Sequence, residues 1–265
     1  MLPIKRIYID TRFKSSDSAS DSDFKIDLPT TLLMPEDTGF YIDDVCIPHT
    51  WLPIEAGVND KLIFKINIDT TRVATTPYGH YSVKDLDLAI VAAMNYAIGT
   101  EYFESEYLVV TNALKIKLKT AYASSLFTIY TDATFKSLAL PYVDKTLNTL
   151  FKNFTQKAYD ATSFLSGYVD MYPLRNIYMT SSGLGNFNTV SVTGDRNIIK
   201  KIPVNGGHGE VIFDQAVTGM DYLDCSHQTL SRISFQLKDI FGKTINLHGN
   251  HVSFSIVFAR VQDGA

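Results

Sequence analysis

The chain has 265 residues, 45% of them hydrophobic, and sets 24 Lys and Arg against 28 Asp and Glu for a formal charge of −4. That length, with a mean hydropathy of +0.01, suits a soluble globular protein with a sizeable core, and no apolar run approaches the roughly 20 residues of a bilayer-crossing helix. Scattered cations argue against a protein whose main work is gripping nucleic-acid backbone. Cys46 and Cys225 make no disulfide framework and read as small buried apolar residues, as suits a reducing compartment.

The start, MLPIKRIYIDTRF, lacks the central apolar block of a signal peptide, so export by that route is not expected. KRIYID (5–10) is a short strand candidate. KSSDSASDSD (14–23) is too polar to pack by its composition and reads as a solvated loop or mobile arm. DFKIDL (23–28) and GFYIDDVCI (39–47) are further strands. KLIFKINID then alternates, with Leu62, Phe64, Ile66 and Ile68 on one face and Lys65 and Asn67 on the other, the period of two of a half-buried strand.

The middle of the chain changes period. YSVKDLDLAIVAAMNYAIG places Leu86, Ile90, Ala93 and Ala97 at steps of four, three and four, opens with Ser82 and Asp85 in the relation of a capping box, and ends at Gly99, which predicts a helix with both ends marked. EYLVVTNALKIKLKT predicts a hairpin turning at Asn112, with Leu114, Ile116 and Leu118 alternating against a wet, basic face of Lys115, Lys117 and Lys119. SLFTIYTDATFKSL reads as a strand entering a short helix capped by Thr131 or Asp132.

Strand signals then resume at YVDMYP and RNIYMT (168–180), NIIKKIPV (197–204), EVIFD (210–214), SRISFQLKD and HVSFSIVFA. The last two send Ile233, Phe235 and Leu237, then Val252, Phe254, Ile256 and Phe258, to one side. DIFGKT between them, with Gly242 for a positive φ, reads as a hairpin turn. Residues 1–68 and 164–265 together predict an all-β sandwich of about eight to ten strands. Residues 69–163 predict a mixed α+β subdomain inserted into it.

No catalytic or metal constellation emerges from the motifs. His248 and His251 are three apart, so on one strand they would face opposite ways; Gly249 and Asn250 predict a turn there, leaving both at a strand rim. His49, His80, His208 and His227 stand apart, without zinc or iron spacings. Asp17, Asp21 and Asp23 lack the glycine and the distal acidic residue of a calcium loop. Gly183 and Gly185 are followed by neither a phosphate-loop lysine nor a helix, and Gly206 and Gly207 precede a strand as a hairpin or bulge turn. No G-x-S-x-G elbow occurs. Asp43 and Asp44, adjacent on a strand, are expected to face opposite ways rather than converge as acid and base. Trp51, between Pro48 and Pro53, reads as a core plug or subunit contact rather than a sugar platform. Asn153 heads a glycosylation sequon that is expected to go unread without export.

The order of these segments resembles the minor capsid, or penton, proteins of Polinton (Maverick) elements, adintoviruses and virophages. The similarity is carried by IYIDTRFKSSDSASDSDFKIDLP, FYIDDVCIPHTWLPI, TPYGHYSVKDLDLAIVAAMN, FTIYTDATFKSL, GDRNIIKKIPVN and, above all, LSRISFQLKDIFGKTINLHGNHVSFSIVFA. It spans nearly the whole chain; the specificity lies in order and spacing, not in one motif. The resemblance implies a single jelly roll with the insertion near the outer surface. It implies a homopentamer at each icosahedral vertex, beside a double jelly-roll major capsid protein and in reach of a host receptor. It implies no enzyme activity and no cofactor. Two other classes remain compatible with the residues: a carbohydrate-binding jelly roll using Trp51, and a cupin-type metalloenzyme with histidines and carboxylates converging in the barrel.

Overall fold

The computed structural model describes residues 3–67, 71–130, 162–172, 174–184, 189–191, 194, 197–216 and 221–260. The chain divides into two compact units, Met1–Trp51 with Leu174–Ala265, and Leu52–Pro173.

The first unit is built on eight strands: β1 (Pro3–Asp10), β2 (Asp23–Leu33), β3 (Thr38–Pro48), β10 (Asn176–Thr180), β11 (Ile198–Pro203), β12 (Val211–Asp214), β14 (Thr229–Lys238) and β15 (Ser253–Arg260). They form two sheets, ordered β1-β15-β3-β12 and β11-β10-β14-β2, with the two-residue β13 (Leu223–Asp224) added on β3. Taken in chain order, the first of the eight pairs the last, the second the seventh, the third the sixth and the fourth the fifth, all antiparallel. That nesting is one long hairpin rolled into two sheets, which is the jelly roll. Register follows the apolar pattern. Ile9 stands opposite Phe254, Phe24 opposite Phe235, Ile47 opposite Ile212 and Ile177 opposite Ile202, and all eight side chains are buried in one core. A one-residue slip would turn each set to solvent at about 1.5–3 kcal/mol per side chain. Phe254 reaches across the sandwich, its ring 5.0 Å from that of Phe235 and 6.4 Å from that of Phe24.

Two expectations change here. DIFGKT does turn tightly, with Gly242 at φ 80° and the Asp239 carboxylate accepting the Phe241 and Lys243 N–H groups. Yet β14 and β15 lie in opposite sheets and make no hairpin. A turn and a period of two specify that the chain reverses, not its partner; the buried Ile245, Leu247 and Val252 carry it over the end of the core to the other sheet.

The serine and aspartate stretch is no mobile arm. Ser15 N–H bonds Lys25 O at 2.8 Å, the Ser20 hydroxyl caps the Ser22 and Asp23 N–H groups, and Ser22, 2% exposed, donates its hydroxyl to Ile245 O at 2.5 Å. Polar composition alone misreads it, because short Ser and Asp side chains order a loop by bonding the backbone.

The second unit comprises β4 (Lys61–Ile66), β5 (Arg72–Thr75), α1 (Val83–Ile98), β6 (Phe103–Leu108), β7 (Ala113–Leu118), β8 (Phe127–Ile129) and β9 (Ser163–Leu165), in sheets β5-β4-β8 and β6-β7-β9. The strand β4, grouped by sequence with the outer segments of the chain, thus pairs with β5 and β8, inside the unit that begins at Leu52. The predicted helix forms: Ser82 caps Asp85 N–H, and Gly99 closes it at φ 80°. Asn95 bonds both backbone groups of Phe103, at 2.8 and 3.0 Å, so the helix covers the edge of β6. Phe103 packs edge-on to Phe64 and Phe127, joining the sheets. The hairpin β6–β7 forms with Asn112 at φ 47°. Its basic face is neutralised across the ladder, Lys117 on Glu104 at 3.3 Å, Lys119 on Glu101, and Lys115 opposite Glu106. The stretch 168–172 runs past Asn112, bonded through Val169, and is not a strand. The helix expected after β8, Asn153 and Gly185 lie outside the described residues.

Candidate assembly surface

The histidines of the opening motif separate in role. His248 takes φ 51° and Gly249 φ 77°, and His248 N–H bonds Asn246 Oδ1, which is the turn expected before β15. His251 is half exposed and stands 3.5 Å from Asp21. The aspartates of the 14–23 loop diverge: Asp17 pairs with Lys25 and Arg232, Asp21 with Lys14, and Asp23 accepts from Gln236. Lys25 first, then Arg232, holds the Asp17 carboxyl below its ordinary value; burial pushes Asp21 up, but Lys14 outweighs it. Among the described residues, no three His, Cys, Asp or Glu side chains converge as metal ligands.

Asp43 and Asp44 do converge, contrary to the strand argument. The β3–β15 register passes from Ser253↔Cys46 to Ser255↔Asp43, so two residues of β3 stand against one of β15. Asp44 at φ 52° marks this bulge, which breaks the alternation of faces. Both carboxylates meet Arg6 of β1, at 3.0 and 3.3 Å, and Gln215 donates to Asp44 at 2.8 Å. They are ligands of a guanidinium that bridges over β15, not a free acid–base pair. Trp51 is 7% exposed, its ring stacked 4.1 Å from that of His49; buried there, it offers no face to a sugar. Cys225 is buried and its thiol is pushed up to about 12 by burial, and burial also raises Cys46; neither is poised as a thiolate nucleophile.

The described site with the volume to hold something is lateral. β1 and β2 are edge strands of the two sheets, and where they part a cleft of about 600 Å³ opens onto the core, lined by Ile7, Ile9, Ile26, Leu28, Phe254 and Cys46 among others. Tyr8 and Phe13 at its mouth are 77% and 79% exposed. Its carboxylates are already engaged. Asp10 is gripped by Arg12 at 2.6–3.1 Å, Asp27 by Arg232 at 2.5 and 3.1 Å, and Asp44 by Arg6. The Arg12 and Arg232 guanidiniums hold Asp10 and Asp27 below the usual carboxylate range. A paired rim around an apolar floor, with two unpaired strand edges, is chemistry for contact with another surface rather than for proton transfer. The opposite side of the unit presents the edges β11 and β12, where Val211 and Phe213 project outward. Sequence periodicity identifies these strands but not which become edges, because edge status depends on pairings over 200 residues long.

The first unit is therefore a single jelly-roll sandwich with two unlike open sides, within an all-β chain that carries an α+β unit between the third and fourth strands of the roll. No protein-family model matches the chain, and no curated protein matches its sequence. Among solved structures, the crystal structure of the selenomethionine-labelled mavirus penton protein matches over 97% of this chain and 100% of that one, with a TM-score of 0.52 and 9% sequence identity. At that identity the likeness is one of fold, and it extends across both units.

Proposed function

We propose that this chain is a structural virion protein, the minor capsid (penton) protein of a double jelly-roll type capsid, set as a homopentamer at the icosahedral vertices. The observation that carries this reading is the likeness, from end to end, to a penton protein with the α+β unit included. The two lateral sides support it. A cyclic ring joins one surface of each copy to a different surface of the next, and the jelly roll offers two unlike sides, the β1/β2 cleft and the β11/β12 edge. In this reading the partners are other copies of the chain and the major capsid protein, the location is the capsid vertex after assembly inside the host cell, and no enzyme activity or cofactor is involved. The second unit, where Tyr96 and Val110 stand 90% and 100% exposed, is the part offered to a host receptor. Among the described residues no helix is long and apolar enough to cross a membrane.

The test is solution mass by light scattering with negative-stain imaging, over a range of concentrations and with the major capsid protein added. A closed ring of five 29.6 kDa chains is expected. A chain that stays monomeric throughout overturns the proposal.

A further inference from the structure

The jelly roll gathers four connections at one end. Thr11 N–H bonds Val252 O, His49 N–H bonds Glu210 O, Ser22 bonds Ile245 O and Thr50 bonds Leu247 O. These bonds tie together the β1–β2, β14–β15 and β11–β12 connections and the segment where the chain leaves β3 for the second unit. Of the six histidines in the chain, His49, His208, His248 and His251 lie in these connections.

His49 is the buried member, 5% exposed. Its Nδ1 stands 2.8 Å from Gly206 O. A carbonyl only accepts, so Nδ1 carries the proton and the neutral ring is the Nδ1–H tautomer. One face of the ring stacks on Trp51, and the His208 ring meets it edge-on at 5.9 Å. The groups facing His49 are few. From the 206–210 loop come His208 and the Glu210 carboxylate, which is held on Gly207 N–H at 2.6 Å. From the 245–252 crossing, tied through Thr50, comes His248. Trp51 brings no charge.

The geometry points to a proton-sensitive latch: protonation of His49, with His208 beside it, frees the Trp51 segment from the 206–210 loop. A second proton on His49 creates a charge in a site cut off from water, whose nearest carboxylate is already engaged. A proton on His208 adds a like charge at ring-contact distance. The loop in water carries both charges without either penalty, so acid shifts the population toward the released form. This inference rests on the His49 geometry alone and holds whether or not the chain forms a pentamer.

Trp51 is the single tryptophan, so its emission reports this site in the full-length chain. Between pH 8 and pH 5 the emission is expected to fall and move to longer wavelength while far-UV circular dichroism stays constant. His49→Phe, which keeps an aromatic stack but cannot titrate, is expected to abolish the transition, and His251→Gln to leave it. Emission that is flat across this range, or a transition unchanged in His49→Phe, overturns the latch. Should His49→Phe fail to fold, NMR of the wild-type histidine rings decides. Conversion of the Nδ1–H tautomer to imidazolium in step with the Trp51 indole resonance supports the proposal, and an indole resonance that ignores the imidazole refutes it.

Discussion

Lys200 bolts the two sheets of the jelly roll together, and removing it should be costly. It lies on β11 in one sheet, and its ammonium reaches three oxygens: Ile42 O of β3 in the other sheet at 3.0 Å, Ala216 O at 3.1 Å, and Asp214 Oδ2 of β12 at 3.3 Å. The Lys200 and Asp214 side chains are 10% and 8% exposed. Three donors meet three acceptors, so the ammonium is fully satisfied. Lys200→Met keeps most of the aliphatic stem but leaves a buried carboxylate with the Ala216 N–H and strands two carbonyls. Breaking a buried pair in this way costs about 3–5 kcal/mol. With a urea slope of about 2 kcal/mol per M, the unfolding midpoint should fall by roughly 1.5–2.5 M. Trp51 emission follows this transition within the first unit, separately from the second. Adding Asp214→Asn to Lys200→Met removes the stranded charge and should recover more than about 1 kcal/mol of the loss. A single variant that costs less than about 1 kcal/mol, or a second substitution that recovers nothing, would refute the account of a buried inter-sheet bolt.

Asp87, on the face of α1 turned to β6, is 4% exposed with its Oδ1 unpartnered, and burial first, then Glu106, raises its carboxyl above the ordinary value. The folded state therefore binds this proton more tightly than the unfolded chain; the stability it contributes is complete below about pH 4 and is lost as pH rises through the folded-state value. Asp87→Asn holds the neutral form at every pH, so calorimetry should find the second unit melting higher at pH 7 and unchanged near pH 3.5; no gain at pH 7 would refute the burial argument. Gly99 ends α1 at φ 80° with open space where a Cβ would stand, so Gly99→Ala should cost about 1 kcal/mol from backbone conformation alone. Chemical denaturation followed at 222 nm measures it, and a neutral substitution would show that the cap is not needed.

Local elements were legible because their causes are local. The helix Val83–Ile98 carries its cap, its period and its stop within 18 residues, and the hairpin turning at Asn112 has all its pairing within 16. The inward faces of β2, β14 and β15 follow from the period of two. The errors share a different cause. Asp43 and Asp44 converge on Arg6 only because β3 bulges at Asp44 against β15, more than 200 residues away in sequence. The 14–23 stretch is ordered by Lys25, Asp27 and Ile245, and no composition window contains those partners. Trp51 was rightly taken as a plug, yet its partner His49 and the contact of His49 with the 206–210 loop are invisible in a reading that treats the histidines as isolated.

The candidate surface lies wholly on the illegible side of that line. An edge strand is defined by the neighbour it lacks, and in a rolled hairpin that is decided by the nesting of the outermost pairs: β1 with β15 and β2 with β14. Those pairs hold β1 and β2 from the inside and leave their outer backbone unpaired. They also place Ile7, Ile26 and Leu28, which a strand pattern assigns simply to a core, at the open mouth between the sheets. Here the rule that a strand's apolar face is its buried face fails, because a protein whose work is contact keeps part of that face for another surface. The same nesting brings the four connections of the roll to one end, which is why histidines spread from position 49 to position 251 share a neighbourhood. Assembly chemistry of this kind is written in the order of the strands rather than in any motif, and order is the property on which the likeness to a penton protein rests at 9% identity.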